Sequence, residues 1–296
     1  MNQQGHMSGI AFLPLSPLGM PALSKQTYLS RSLRILQWNS NSLGANQKIN
    51  NLTSIIHNFD VVSLCETNFI VPEIRNYECI KHLPDREMKR KGVAMYIHES
   101  LEYRSTDFCK QLERLVESTA IEIAILGRNP LIIWNIYVHP TLHTSIISDI
   151  FNSVQDNDIL IVGDLNSKCR IAGNLSTNPR GNLLERLLVD DELPYCVLND
   201  GKPTFIRQYP DGIRSSVIDL AICNSRITNL VEQCETTAIL DSDHVPVQTA
   251  LRMKTRRLKP MNEQSDYILD PVLLRNIFQE TEPIMIGDLQ SRSRII

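Results

Sequence analysis

Long apolar runs are missing from this chain. None of its 296 residues lies in a stretch approaching the roughly eighteen apolar residues that a bilayer-crossing helix needs, so no membrane span is expected and the protein reads as soluble. A secretory signal is missing too. The opening MNQQGHMSGIAFLPLSPLGMPALSKQTYLS has no basic region ahead of its apolar patch, and Pro14, Pro17 and Pro21 break that patch; a disordered leader over residues 1–30 is predicted. Paired cysteine spacings are absent as well. The seven cysteines, at 65, 79, 109, 169, 196, 223 and 234, are odd in number and scattered, with no C-x-x-C. That pattern argues against a disulfide framework and a zinc site, and for a reducing, intracellular compartment. Nor is there an excess of positive charge. Thirty Lys and Arg against 33 Asp and Glu leave a net charge of −3 and a pI near 6.2, whereas a dedicated nucleic-acid binder is usually basic. No internal repeat is visible.

What is present is ordinary globular material, 42% hydrophobic and 21% charged, enough for one large domain or two small ones. Leu33–Trp38 reads as a first strand, and residues 43–57 carry apolar side chains at 49, 52, 55 and 56, a helical spacing. Asp60–Cys65, Gly92–His98, Thr119–Leu126, Leu131–Val138 and Asp158–Val162 read as strands, of which 60–65 and 158–162 suit burial on both faces. Ser145–Val154 and Gly181–Val189 read as helices. Thr204–Ile206 and Ser216–Cys223 flank the turn-rich QYPDG, and Val231–Ile239 with Val245–Leu251 bracket Asp241–His244. Many strands per helix predict an α/β sandwich with sheets inside and helices outside. From Lys254 the chain turns charged and linker-like, so the compact domain is expected over 31–253. Residues 254–296 then form a charged linker, with one short helix at Asp270–Gln279. The basic clusters at Lys89–Lys91, Lys168 with Arg170, and Arg256, Arg257 with Lys259 read, taken alone, as solvated surface.

Polar residues fall where strands end: Asn39, Glu66, Tyr137 with His139, Asp164 with Asn166, and Asp243 with His244, while Asp219 lies inside VIDLAIC. Each has a plain reading. Asn39 and Asn166 suit turns, Glu66 suits a cap, and Tyr137 is an ordinary strand residue. Asp219 is harder to dismiss, because an acid among apolar residues needs a partner. In a sheet-based α/β protein, strand ends on one side converge on one crevice. The set is rich in hard oxygen donors and holds one His beside an Asp, which suits Mg²⁺ or Mn²⁺ rather than zinc. A divalent ion with an oriented His, a carboxylate and two amides is equipment for hydrolysing a phosphodiester.

QWNSNSL, LCETN, NIYVHP, GDLNS, SVIDLA and SDHVPV follow one another in the order of the motifs of the endonuclease/exonuclease/phosphatase superfamily. The chain resembles that superfamily over residues 33–251. LCET without a following Lys, KGVAMYI, the PTF at 203–205 and SVIDLA bring it nearest to the apurinic/apyrimidinic-like endonuclease domain of non-LTR retrotransposons. The resemblance implies a DNase I-like four-layer sandwich, two mixed β-sheets packed face to face with helices outside. It also implies Mg²⁺-dependent hydrolysis, with Mn²⁺ as a substitute, that nicks DNA and leaves a 3′-hydroxyl able to prime reverse transcription. A nuclear location and a reverse transcriptase in the parent polyprotein would follow.

By the same resemblance Glu66 is the principal metal ligand, Asn39 beside it bonds metal-bound water or phosphate, and Asp243 adds negative charge on the metal side. Tyr137 points its hydroxyl at the phosphate, and Asn166 donates to a phosphate oxygen. Asp164 orients or deprotonates the attacking water, or protonates the leaving oxygen. His244 acts at the phosphate, held in one tautomer by Asp219, and Ser216 touches the phosphate. The segment Gln208–Arg214 joins two strands through Pro-Asp-Gly turn chemistry. Taken alone it is an ordinary hairpin; in the resembled family the hairpin here enters the DNA minor groove. Arg207 and Arg214 would then contact phosphate or groove, with Tyr209 free to wedge or stack. Two rival readings stand beside the nuclease: a phosphoinositide- or sphingomyelin-type phosphodiesterase of the same fold, favoured by the acidic charge, and a catalytically silent, element-derived binding protein.

Overall fold

Period-two alternation along the strands decides the architecture. The computed structural model describes residues 28–256, apart from 69, 83–90, 107–109, 113–114, 126, 155–156, 190–194 and 239. One six-stranded sheet contains β1 (Tyr28–Asn39), β2 (Val61–Cys65), β3 (Tyr77–His82), β4 (Val93–His98), β13 (Val231–Thr236) and β14 (Val247–Arg256), in the order β13-β14-β1-β2-β4-β3. The other contains β5 (Arg104–Ser105), β6 (Glu117–Ile123), β7 (Leu131–Tyr137), β8 (Asp158–Asp164), β9 (Tyr195–Val197) and β12 (Asp219–Asn224), in the order β5-β6-β7-β8-β12-β9. A separate hairpin pairs β10 (Phe205–Tyr209) with β11 (Gly212–Ser216). Each large sheet holds one parallel pair, β1 with β2 and β7 with β8, among antiparallel neighbours. A helix makes each crossover, α1 (Asn46–Ile55) in the first and α2 (Ile146–Asn152) in the second, as parallel strands require. The third helix, α3 (Pro179–Val189), follows β8.

Alternate residues of one strand serve two interfaces. Leu33, Ile35, Val61, Met95 and Ile97 of the first sheet pack against Ile121, Ile123, Ile133, Leu160, Val162 and Ala221 of the second. The intervening Leu36, Trp38, Val62 and Leu64 meet Leu52 and Ile56 at α1. On the far side Ile132, Trp134, Ile136, Ile159 and Ile161 meet Ile147, Ile150 and Phe151 of α2 and Leu184 of α3. Helix, sheet, sheet and helices give four layers, and each fully buried aliphatic side chain contributes roughly 1.5–3 kcal/mol.

Three expectations shift. SVIDLAIC is not one strand: it breaks after Ser216 and resumes at Asp219. Asn174 brackets Val217 through both backbone groups, and Thr204 Oγ1 accepts the amides of Ile218 and Asp219, each at 3.0 Å. These side chains take the hydrogen bonds that a neighbouring strand would otherwise supply. The hairpin strands run into QYPDG, leaving only Pro210 and Asp211 as the turn. Strands β3 and β5 carry no apolar alternation because they lie at sheet edges with largely solvated side chains, and the three-residue edge strand β9 is too short to show any. The register pairs Tyr28 with Arg256, three residues outside each bound expected for the domain; the rest of the leader and tail, including 270–279, lies outside the described residues. Among the described residues no helix is long and apolar enough to cross a membrane, and cysteines 65, 79, 169, 196, 223 and 234 are free thiols.

Candidate active site

The inner faces change from apolar to polar at one end of the sandwich. In the second sheet Tyr137 lies opposite Asp164 on the parallel β7–β8 ladder, and Asp164 lies opposite Asp219 on β12, so three polar side chains share one rung. Gly163, just before Asp164, lets β8 close on β7; a Cβ there would stand 1.9 Å from the Ile136 carbonyl oxygen. From the facing sheet β1 ends in Gln37 and Asn39, two residues apart and so on the same inner face, and β2 runs directly into Glu66. Glu66 (φ 52°) and Asn166 (φ 50°) both take left-handed backbone, which turns the chain sharply at the two strand ends. Asn tolerates that conformation; Glu does so at a cost of about 1–3 kcal/mol, a strain found where geometry serves a site.

Asn39 is the link between the sheets. It is fully buried, and its Nδ2 donates to Glu66 Oε1 at 3.1 Å and to Asp164 Oδ2 at 2.9 Å. Asp164 Oδ1 accepts the Asn166 backbone amide at 2.9 Å, and the Asn166 side chain donates to the Val138 carbonyl at 3.1 Å. Asp219, with no exposed surface, takes His244 Nδ1 on Oδ2 at 2.7 Å and the Gln37 amide on Oδ1 at 3.1 Å. His244 is held further by its carbonyl, which accepts Trp38 Nε1, and by the Phe205 ring edge-on at 5.1 Å. Glu66 also accepts the Tyr137 hydroxyl and pairs with Lys91 Nζ at 3.2 Å. Asp164, Asp219 and His244 each offer a ligand atom within 4.8 Å of the others.

The charges follow from this packing. Burial, then the facing Asp219, raises Asp164 well above an ordinary carboxyl, tempered by His244 and Asn39. Burial alone would lower His244, but Asp219, by charge and hydrogen bond, followed by Asp164 and Asp243, carries it up to about 9. Burial would raise Glu66, yet the Asn39 bond and Lys91 hold it below its usual value. Tyr137 is raised by burial and by Glu66 and Asp164, so its hydroxyl keeps its proton. At neutral pH the site therefore presents an imidazolium and a phenol as donors beside a carboxylate that readily accepts a proton.

The site residues expected from sequence thus divide. Asn39, Glu66, Tyr137, Asp164, Asn166, Asp219 and His244 come together. Asp243 stands at the rim, gripped by Arg207 through Nε at 2.8 Å and through Nη2, with Asn41 on its other oxygen at 3.1 Å. Arg207, its side chain 48% exposed, is thereby tied to Asp243. Ser216 is buried at the root of the hairpin, where its carbonyl accepts the Thr204 amide. Arg214 lies over the Tyr209 ring at 4.5 Å and pairs with Asp211 at 2.7 Å, so the exposed apolar residue near the tip is Ile213, not Tyr209. Sequence reading missed Gln37, Thr204 and the Lys91–Glu66 pair. Gln37 alone had a usable signal, its place two residues before Asn39 on the same strand face.

Residues 131–248 match a family model described as endonuclease-reverse transcriptase. Among solved structures, the chain is similar to the endonuclease domain of TRAS1, a telomere-specific non-LTR retrotransposon: 17% identity, 75% of this chain and 99% of that one covered, TM-score 0.61. It is similar also to the AP endonuclease LMAP from Leishmania major (16% identity, 75% and 88% covered, TM-score 0.59) and to the Xenopus laevis APE2 catalytic domain (14%, 77% and 94%, 0.57). No curated protein matches the sequence. The fold is that of the endonuclease/exonuclease/phosphatase superfamily, and the chain resembles its retrotransposon members.

Proposed function

We propose that the chain hydrolyses phosphodiester bonds in DNA with the help of a divalent cation, nicking one strand to leave a 3′-hydroxyl. The observation that carries this reading is the convergence of Asn39, Glu66, Asp164, Asp219 and His244, drawn from two sheets, on one buried polar end. A DNA substrate is further supported by the endonuclease-reverse transcriptase family match.

The donor set fits Mg²⁺ or Mn²⁺. Glu66 and Asp164 bring carboxylate oxygens to the same Asn39 amide, and hard anionic oxygens are what such ions prefer. Glu66 would hold the ion, with Asn39 beside it, and the bound ion would supply neutralisation of phosphate charge. His244 presents Nε2 to the phosphate because Asp219 occupies Nδ1, and as an imidazolium it stabilises charge built up in the transition state. Tyr137 donates its hydroxyl to the same charge. Asp164, ionised but easily protonated, takes the proton of the attacking water. Asn166 spends one amide hydrogen on Val138 and keeps the other for a phosphate oxygen.

The test is nicking of supercoiled plasmid by the purified full chain. Mg²⁺ or Mn²⁺ should support it, EDTA should stop it, and the nicked strand should be extendable by a polymerase. Hydrolysis of phosphoinositide or sphingomyelin in place of DNA would overturn the substrate assignment.

A further inference from the structure

Arg180 is a buried guanidinium, only 5% exposed, and no carboxylate among the described residues pairs with it. Its Nη2 donates instead to three backbone carbonyls of one loop: His139 at 2.8 Å, Pro140 at 3.0 Å and Leu142 at 2.6 Å. That loop leaves β7 directly after Tyr137. Burial lowers the Arg180 pKa, and the nearby Asp164 carboxylate opposes that by favouring the ionised form. A buried cation that satisfies only neutral carbonyls is a costly way to hold a loop unless the loop's position matters.

The residues beside it grip the neighbouring loop. Asn178 caps α3, its Oδ1 accepting Gly181 N at 2.7 Å ahead of Pro179 in the first helical position. The same oxygen accepts Lys168 N at 3.1 Å, and its Nδ2 donates to the Asn166 carbonyl at 2.9 Å. Gly181 lets the helix press onto that loop, since a Cβ there would stand 1.6 Å from the Lys168 carbonyl oxygen. The first turn of α3 therefore holds the strand-end loops of both β7 and β8. The two loops touch each other through Asn166 Nδ2 on Val138 O and Val138 N on Asp164 O.

We propose that Arg180, with Asn178, is a positioning residue of the active site, fixing the offset between the β7 loop that carries Tyr137 and the β8 loop that carries Asp164 and Asn166. This rests on the nuclease reading above. Neither residue touches the phosphate. Both act through backbone atoms of the residues that would, or of neighbours within five positions, and a misplacement of about 1 Å at such groups costs up to a hundredfold in rate. Lysine at 180 would keep the charge and place three donors on one nitrogen, as Arg180 Nη2 serves three carbonyls, but on a differently shaped side chain, so it should restore part of the function.

The experiment compares wild type, Arg180→Met, Arg180→Lys and Asn178→Ala as full chains, reading kcat and KM for plasmid nicking, Tm, and the Asn166 side-chain amide and Val138 amide resonances by ¹⁵N NMR. Expected are a roughly ten- to hundredfold loss of kcat in Arg180→Met with KM within about twofold, partial recovery in Arg180→Lys, and displaced Asn166 and Val138 resonances in every variant. A lowered Tm with kcat and both resonances unchanged would make Arg180 a mere scaffold and overturn the inference. If Arg180→Met does not fold, Arg180→Lys and Asn178→Ala carry the comparison. A wild type that does not nick would defeat the nuclease reading instead, and the two resonances would then decide the positioning claim alone.

Discussion

Asp219 and His244, 25 residues apart in sequence, meet at 2.7 Å in the interior, with both carboxylate oxygens of Asp219 engaged. The pair makes stability fall as pH rises in the absence of metal. His244 titrates near 6.5 when unfolded and is raised to about 9 in the fold, so its stabilisation is complete below about pH 6.5 and is lost as pH climbs through 9. Asp164, also raised, binds its proton more tightly folded than unfolded and acts in the same direction at lower pH. The Tm of the chelated protein should drop by several degrees between about pH 6 and 9.5. His244→Gln should flatten that slope; a slope unchanged by the substitution would show that His244 is not the group responsible.

Divalent ions should stabilise the fold, because the groups that would hold them are assembled only in the folded chain. At an ion concentration near one hundred times Kd the gain is about 2.7 kcal/mol. Thermal shifts with Mg²⁺ and Mn²⁺ should vanish in Glu66→Ala and shrink in Asp164→Ala. Equal shifts in all three proteins would place the ion elsewhere.

Much of this site is legible in the sequence, and the reason is geometric. Strands whose apolar runs are buried on both faces announce their ends, so Asn39, Glu66 and Asp164 could be picked out as the first polar residues after each run, while Tyr137, inside its strand, rests on the motif resemblance. Contacts between residues distant in sequence leave no such mark. Gln37 on Asp219, Lys91 on Glu66 and Arg207 on Asp243 join residues 182, 25 and 36 positions apart, and local pattern carries no information about them. The break inside SVIDLAIC was hidden for the same reason: its cause is Thr204 and Asn174, not anything in those eight residues. Edge strand β3 was missed because half-solvated residues such as YECIKH lack alternation.

The hairpin offers a separate test. Phosphate contacts carry no base information, so sequence preference must come from an element that reaches past the backbone. Exchanging 208–213 for a short Asn-Gly turn should leave nicking intact but even out the cleavage pattern along a sequenced plasmid. Arg214→Ala should weaken binding and reduce its salt dependence by about one phosphate's worth. If the nick map survives the exchange, specificity belongs elsewhere, the basic sequence Lys89–Lys91 being the next to test.

Strand β1 lies between β14 and β2 and buries Leu33, Ile35, Leu36 and Trp38. A chain beginning at residue 42 removes the centre of one sheet together with Asn39, and it should be insoluble. Residues 28–256 should fold and cut alone. Soluble, cooperative folding of the shorter chain would contradict the register described here.

The most direct measurement is the single-turnover nicking rate of wild type against Asp164→Ala and His244→Ala, in Mg²⁺ at neutral pH on the same plasmid preparation. Loss of one acid–base or charge-stabilising group should slow each variant on the order of a hundredfold or more while the proteins remain folded. Rates equal to wild type in both variants would mean that the buried polar end does not perform the reaction.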